Sequence, residues 1–257
     1  MDKKVKMLYN NIRIFCLFRR FNMNKTAYKR VIIKLSGEAL SGGTGNGIDE
    51  KTLSQVVDQL VKVNKLGVEI GLIVGGGNFW RGRQGRDMDR STADYMGMLA
   101  TAINALGVQD ALVRRGVPTI VQTALDISRV SEPFDIRKAK EHLASGKIVI
   151  FACGTGNPFF TTDTAAALRA AEIGAEVLLL AKNVDGIYDS DPKLNPNAKK
   201  LDKVSYQEYI EKGLKAMDTT AITICMENNI KVLAFGLFEE SSLTRAVSGE
   251  TFGTLIE

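Results

Sequence analysis

The sequence predicts an α/β protein in which a mostly parallel central sheet lies between two layers of helices, a three-layer α/β/α sandwich. Short apolar runs rich in β-branched residues recur along the chain, each bounded by glycine, proline or charge. Segments with apolar residues at helical spacing separate these runs. Strands that alternate with helices usually form a parallel sheet with both faces covered.

The strands are predicted from the apolar runs. Because these runs lack an alternation of polar and apolar residues, we expect the strands to be parallel and buried on both faces. They cover residues 31–35, 70–74, 119–121, 148–152, 177–181 and 232–235.

The helices are predicted from apolar residues three and four positions apart. The first helix lies between the first two strands, with Asp49 as its N-cap and Gly67 as its stop. Further crossover helices are predicted over residues 91–115, 135–145, 162–174 and 218–228.

The charge distribution limits the possible functions. The chain has 257 residues and a net charge of +5. Residues 1–22 contain six basic residues and one acidic residue, so the whole excess lies in this segment and the rest of the chain is neutral. This distribution gives no support to nucleic-acid binding.

Residues 1–22 form a basic segment with a short apolar patch. We expect a disordered or spurious extension, with the natural start at Met23; a basic amphipathic membrane tether is the alternative.

No stretch reaches the roughly 18 uninterrupted apolar residues of a membrane helix, so no spanning segment is predicted. The cysteines are too few and too scattered for a disulfide framework, which fits a reducing cytoplasm.

Four glycine-rich segments follow the predicted strands, at residues 34–47, 75–82, 154–163 and 182–192. Ligands bind beyond the carboxyl ends of parallel strands, which is where these segments lie. Glycines allow backbone N–H groups to approach an anion closely. Several such segments at one sheet edge predict a ligand with more than one phosphate group.

The common phosphate-binding motifs are absent from the sequence. The pair 146–147 lacks the first glycine of a P-loop because Glu141 stands there, and glycines 75–77 are followed by Trp80 where a dinucleotide fingerprint has glycine. The single histidine, His142, excludes histidine-based triads and zinc sites. Phosphoryl transfer fits the remaining residues, because it needs positioning and positive charge more than acid–base chemistry.

Lys34 ends the first predicted strand, beside Ser36 and Gly37. Alone it could be a lysine that extends its ammonium group to solvent. Together with the other glycine-rich segments, it predicts a phosphate site at the end of this strand.

Six motifs resemble those of the bacterial UMP kinases, a branch of the amino acid kinase superfamily. They cover the chain from about residue 28 to the C-terminus and read KLSGEAL, GGGN-x-x-RG, DYMGMLAT, GTGNPFFTTD, VDG-x-Y-x-x-DP and LKAMD. The resemblance implies a carbamate kinase-like fold and transfer of the γ-phosphoryl group of ATP to UMP in pyrimidine biosynthesis. It also implies Mg²⁺ carried with ATP, a cytoplasmic homohexamer, activation by GTP and inhibition by UTP, with no nucleic-acid or membrane partner.

The resemblance also divides the chain and assigns its residues. Residues 23–257 would be one domain, with a nucleoside monophosphate lobe at about 28–150 and an ATP lobe at about 151–257. The catalytic residues would be Lys34, Arg81 and Asp218. The ATP-binding residues would be Lys34, Leu35, Ser36, Gly37, Gly77, Arg81, Lys182, Asn183, Tyr188 and Asp191.

The acceptor and regulatory residues follow from the same resemblance. The UMP-binding residues would be Gly76, Asp94, Thr155, Gly156, Asn157, Pro158, Phe159, Phe160, Thr161 and Thr162. Asp94 would accept hydrogen bonds from the ribose, and Gly77 with Arg81 would hold phosphate. The segment tied to GTP activation would be Gly42, Gly43, Thr44, Gly45, Asn46 and Gly47, or it would be a plain mobile loop.

Three residue roles remain open between alternatives. Asp163 either caps the following helix or supports catalysis, and Asp218 either orients Lys34 or a phosphate or caps a helix. The family often has Thr or Asn six residues before the tyrosine, whereas this sequence has Lys182 there and Asn183 next, so either residue could contact ATP.

Two other functions compete with UMP kinase. An aspartate, acetylglutamate or carbamate kinase would share Lys34 and the glycine-rich segments, but a carboxylate acceptor should not need GTGNPFFTTD or Asp94. A nucleotide sensor without turnover would not need to retain Lys34, Arg81 and Asp191.

Overall fold

The computed structural model describes residues 26–81, 87–190, 192, 194–250 and 252–257. A nine-stranded sheet forms its centre, with the strand order β4-β3-β5-β2-β1-β6-β10-β11-β9, and β7 pairs with β8 in a separate sheet. The strands are β1 (Arg30–Leu35), β2 (Glu69–Val74), β3 (Thr119–Thr123), β4 (Glu132–Pro133), β5 (Ile148–Ala152), β6 (Val177–Lys182), β7 (Ile187–Tyr188), β8 (Lys200–Leu201), β9 (Lys203–Val204), β10 (Lys231–Gly236) and β11 (Thr254–Ile256).

The predicted strands are confirmed and are parallel to one another. Strand β1 lies between β2 and β6, β5 joins β2 to β3, and β10 pairs with β6. Their observed ends extend the predictions by at most two residues, as in β3, which continues through the polar pair Gln122 and Thr123. The sheet becomes antiparallel where β11 pairs with β10.

The predicted helices are also confirmed, and the ends predicted for the four crossover helices differ from the observed ends by at most one residue. The observed helices are α1 (Glu50–Lys65), α2 (Arg90–Arg114), α3 (Ile136–Ala144), α4 (Thr162–Ile173), α5 (Tyr206–Glu211), α6 (Thr219–Glu227) and α7 (Ser242–Val247). Asp49 caps α1 as predicted, by accepting from Thr52 N. The predictions for α3 and α6 were one residue too long at each end because they included the caps.

Helices cover both faces of the sheet, which confirms the three-layer sandwich. Side chains alternate along each strand, so Val31 and Ile33 pack against α1, α2 and α7, whereas Ile32 packs into the core formed with α3, α4, α5 and α6. The elements that the sequence did not predict are short, at two to six residues each. Such lengths are too short for a periodic pattern.

Helix α2 is long and apolar enough to cross a membrane by length and composition alone. Half of that apolar window is buried inside the protein, as in the core helices of many proteins that do not cross membranes. Its buried face includes Met98, Ala105 and Leu112, which belong to the core beneath the sheet.

Candidate active site

Lys34 lies near the carboxyl end of β1, between Ile73 of β2 and Leu180 of β6. Its Nζ is 2.8 Å from Oδ1 of Asp163, and both side chains are largely buried. Within the described residues, this oxygen is buried and the Lys34 ammonium is its close polar partner. A lysine on a central strand is thereby fixed beside a carboxylate.

Asp163 does not cap helix α4, so the capping alternative is wrong. Thr161 is the N-cap, and its hydroxyl oxygen accepts from the backbone N of Asp163 and of Thr164. The Asp163 carboxylate is therefore free to face Lys34 rather than the start of its own helix.

Asp218 is the N-cap of α6, where its Oδ1 accepts from Ala221 N at 2.7 Å. Its carboxylate also accepts from the hydroxyls of Thr161 and Thr164 at the start of α4. Asp218 thus joins the starts of two helices. In the described part of the chain the ion-pair partner of Lys34 is Asp163, so direct orientation of Lys34 by Asp218 is not observed.

A first cavity of about 250 Å³ opens beside this cluster. It brings together residues that the resemblance assigned to UMP or phosphate binding, namely Gly76, Gly77, Arg81, Asp94, Thr155, Phe160, Thr161 and Thr162. Gly156, Asn157, Pro158 and Phe159 belong to the same loop but do not line the cavity. Asn157 instead closes the loop on itself through Thr155.

Asp94 is the carboxylate of the first cavity, and it already has protein partners. Both of its oxygens accept from Nε of Arg90, at 3.1 and 3.0 Å, and Oδ2 accepts from Phe159 N at 2.8 Å. The Arg90 guanidinium lies 5.5 Å from the centre of the Phe159 ring. Asp94 therefore fastens the loop at residues 154–161 to the start of α2.

Arg81 lines the first cavity with Gly77, on the same side as the predicted UMP residues. Its Nη2 donates to Oε1 of Glu38 at 2.5 Å, and its Nε donates to Gly77 O at 3.4 Å. Both side chains of the Arg81–Glu38 pair are about half exposed. Because Arg81 lines this cavity, we expect it to contact the phosphate of an acceptor bound there rather than ATP.

A second cavity of about 530 Å³ is lined by two residues that the resemblance assigned to ATP binding, Tyr188 and Lys182. Lys182 donates from Nζ to Ala216 O at 2.5 Å. Burial lowers the pKa of Lys182, and Asp163 acts against this lowering while Lys34 adds to it. Lys182 ends the strand beside β1, directly after Ala181, which pairs with Leu35.

Lys182 lines the second cavity, whereas Asn183 is exposed and does not line it. Which of the two contacts ATP stays a prediction. Tyr188 donates to Oδ1 of Asp185 at 2.7 Å, which fixes its ring at the cavity wall. Asp191 lies outside the described residues.

The loop after β1 packs tightly on the loop after β2. A Cβ on Gly37 would lie 2.6 Å from Gly75 O and 2.8 Å from Gly77 N, so only glycine fits there. Ser36 caps the short 3₁₀ helix Gly37–Leu40 by accepting from Ala39 N at 3.2 Å. Leu35 is fully buried, so its side chain is core and only its backbone can face a ligand.

The segment at residues 42–47 has internal hydrogen bonds. The Thr44 hydroxyl donates to Ser41 O and Asn46 O, and Asn46 Oδ1 accepts from Gly47 N. Gly42, Gly45 and Gly47 have positive φ angles, which Gly43 does not. These bonds close the segment on itself, and its two alternatives, the GTP segment and the plain mobile loop, both stay predictions.

Several residues of the first cavity were not predicted. They are Trp80, Ala93, Gly97, Met98, Thr101 and Gly154. Four of them lie in the motifs DYMGMLAT and GTGNPFFTTD quoted above. The motifs therefore indicated the segments that line the cavity but not these individual residues. Thr101 joins two elements that border the cavity. Its hydroxyl accepts from Cys153 N at 2.7 Å and thereby links α2 to the loop after β5.

Comparison with known proteins identifies related chains. The profile of the amino acid kinase family matches residues 29–235. The structure is similar to UMP kinase from Bacillus anthracis, with a TM-score of 0.87 and 37% identity over 90% of this chain and 96% of that one. It is similar to UMP kinase from Ureaplasma parvum, with a TM-score of 0.84 and 37% identity over 89% and 98%. Uridylate kinase from Archaeoglobus fulgidus matches with a TM-score of 0.70 and 28% identity over 88% and 99%.

Proposed function

The chain belongs to the amino acid kinase family, and we infer that it transfers the γ-phosphoryl group of ATP to UMP, giving ADP and UDP. The observation that carries this inference is the position of the Lys34–Asp163 pair. Thr162, next to Asp163, lines the first cavity. Lys182 lines the second cavity and directly follows Ala181, the β6 residue that pairs with Leu35 of β1. A phosphoryl group moving between the cavities would pass this pair.

Lys34 is the group that meets the developing charge. The transition state of phosphoryl transfer spreads negative charge over the equatorial oxygens, and a fixed ammonium stabilises it without reorganisation. Asp163 holds that ammonium in place through the 2.8 Å ion pair. Asp218 acts indirectly, because it fixes the start of α4, where Asp163 lies.

Mg²⁺ fits this site as an ion carried with ATP. The described residues contain no cluster of three or more His, Cys, Asp or Glu side chains that could hold a metal alone. The Asp163 carboxylate, whose described charged partner is Lys34, would supply one ligand to the ion, and Mg²⁺ sites of kinases often use one or two carboxylates with the phosphates. When bound, the ion neutralises charge on the transferred phosphoryl group.

The first cavity is proposed to hold UMP and the second to hold the adenosine of ATP. Arg81 offers a planar guanidinium to the UMP phosphate, and Asp94 accepts from the ribose hydroxyls. Glycines at residues 75–77 and 36–37 bring backbone N–H groups to the phosphates. A carboxylate acceptor has no ribose hydroxyls to donate to Asp94, which argues against the amino acid-type kinases.

The reaction is tested with a panel of nucleoside monophosphates, ATP and Mg²⁺, with ADP release measured by a coupled assay. We expect turnover with UMP well above that with AMP and GMP, and no turnover with aspartate, acetylglutamate or carbamate. Turnover with one of those carboxylates instead of UMP would contradict the proposal. Absence of ADP release with every acceptor would favour a nucleotide sensor.

Regulation and location are proposed from the family resemblance. GTP would activate through residues 42–47, and UTP would inhibit. The support for activation through this segment is that Gly47 is hydrogen-bonded to Asn78, directly after the glycines of the first cavity.

A cytoplasmic location fits Cys153 and Cys225, which are free and buried. Residues 1–22 lie outside the described residues, so the expected extension remains a prediction.

A homohexamer is proposed, and helix α2 supplies a surface for subunit contact. Its outer face exposes large apolar side chains in one stripe, Tyr95, Leu99, Ile103 and Val113. The first three are four residues apart, so they follow one another along the helix. A contiguous exposed apolar stripe is typical of a surface that another protein covers.

Ile103→Glu tests this surface. Because a buried unpaired carboxylate is costly, we expect the variant to form smaller species than the unaltered chain. Size-exclusion chromatography with light scattering measures the mass. Phe238→Glu, at an exposed aromatic residue outside the stripe, is the matched control and should leave the mass unchanged. An unchanged mass for Ile103→Glu would exclude the stripe from the contact.

A further inference from the structure

Two buried asparagines, Asn78 after β2 and Asn104 on α2, form an amide pair beneath the phosphate-binding loops. Asn78 is 2% exposed and Asn104 is fully buried. Asn78 Nδ2 donates to Asn104 Oδ1 at 3.0 Å, and Asn104 Nδ2 donates to Asn78 Oδ1 at 2.7 Å. Each amide has one further N–H, and it donates this hydrogen to a residue outside the pair.

The outgoing bonds reach the loops on either side. Asn104 Nδ2 donates to Gly75 O at 2.7 Å, and Asn78 Nδ2 donates to Gly47 O at 2.7 Å. Gly47 N returns a bond to Asn78 O at 3.0 Å. The pair therefore fixes the first glycine of the loop at residues 75–77 and the end of the segment at residues 42–47.

The same pair touches the loop that follows Lys34. A Cβ on Gly37 would lie 2.5 Å from Asn78 Oδ1, so the backbone of Gly37 packs directly on this amide. Gly75 N also donates to Leu35 O at 2.9 Å. One amide thus sets the spacing between the loop after β1 and the loop after β2.

We propose that Asn78 and Asn104 are positioning residues for phosphoryl transfer, because they hold the loop beside Lys34 in register with the loop that binds the acceptor phosphate. This inference rests on the function proposed above. Neither side chain lines either cavity, so neither touches substrate. Misplacement of a reacting group by about 1 Å can cost about 10²-fold in rate, even from a change outside the reacting centre.

The test is Asn104→Ala, which removes the donors to Gly75 O and Asn78 Oδ1. Each substrate can still bind to its own loop, but the two loops are no longer held in a fixed position relative to each other. We expect kcat to fall by about 10²-fold, with a much smaller change in KM for ATP and for UMP. Steady-state kinetics with both substrates, together with the melting temperature, measure this difference between kcat and KM.

Gln59→Ala is the matched control. Gln59 is a partly buried amide that also joins separate elements, since it donates to Leu237 O and accepts from Ser242 and Leu243, and it lines neither cavity. It should lower the melting temperature and leave kcat unchanged. If Asn104→Ala does not fold, Asn104→Ser and Asn78→Ser are compared with Gln59→Ser, because a hydroxyl leaves one donor in place.

The outcomes separate this inference from the proposed function. An Asn104 variant that loses stability like the control but retains kcat would overturn the positioning role. A rise in KM for UMP alone, at unchanged kcat, would also overturn it, because the pair would then support one loop only. Failure of the unaltered chain to phosphorylate UMP would instead contradict the proposed function.

Discussion

Lys34→Ala should lower kcat by about 10² to 10³ or more, the range found when one group that stabilises developing charge is removed. UMP binding should remain nearly intact, because Lys34 does not line the first cavity. Steady-state kinetics give kcat, and isothermal titration with UMP gives the binding constant. Near-normal turnover would remove Lys34 from the mechanism.

The Lys34 variant needs a control for the carboxylate that it leaves behind. Without Lys34, the buried Asp163 carboxylate loses its ion-pair partner, which alone could disturb the site. Lys34→Ala combined with Asp163→Asn removes that charge as well. Asp163→Asn alone measures the cost of losing the carboxylate, so turnover of the double variant well below that of Asp163→Asn would assign the additional loss to the ammonium. Lys65→Ala, an exposed lysine in the last turn of α1, should retain full activity.

Asp94→Asn should weaken UMP far more than ATP. Hydrogen bonds to a charged group contribute about 1.5–3 kcal/mol, so the loss corresponds to roughly a 10- to 100-fold rise in KM for UMP. The asparagine keeps the shape of the side chain but replaces one acceptor oxygen by a donor, which faces Phe159 N or Arg90. Initial rates at varied UMP and varied ATP measure the two effects separately.

The same helix supplies a matched control for Asp94. Asp110 is an exposed carboxylate of α2 and pairs with Arg114 four residues away, as Asp94 pairs with Arg90. Asp110→Asn should leave both KM values unchanged. An equal rise in KM for ATP and for UMP in Asp94→Asn would reject the assignment of Asp94 to the ribose.

The sequence predicted the central layer well because buried parallel strands leave a strong local pattern. Runs such as Val31–Ile33 are apolar at every position, and the Asp49 cap is a local signal. The short elements β4, β7 and β8 have no such pattern, since pairing with distant residues decides whether they form.

The site was predicted at the level of loops and less well at the level of contacts. The family motifs assigned Asp94 and Thr161 to the same ligand, and both line the first cavity. They did not indicate that Thr161 rather than Asp163 caps α4, since both residue types are good caps. They also gave no sign that Asn78 meets Asn104, because that contact depends on how α2 packs on the loop after β2.

Strand β1, which carries Lys34, lies in the centre of the sheet, and this position determines which unfolding events can expose it. Both edges of this strand are hydrogen-bonded, to β2 and to β6, and its apolar side chains face both cores. Opening β1 therefore divides the whole sheet, so its amides should exchange with solvent hydrogen only through global unfolding. The Phe159 loop is joined to α2 through the bond from Phe159 N to Asp94, and we expect it to open without the sheet. An acceptor bound in the first cavity would then enter and leave at a rate unrelated to the lifetime of the fold around Lys34.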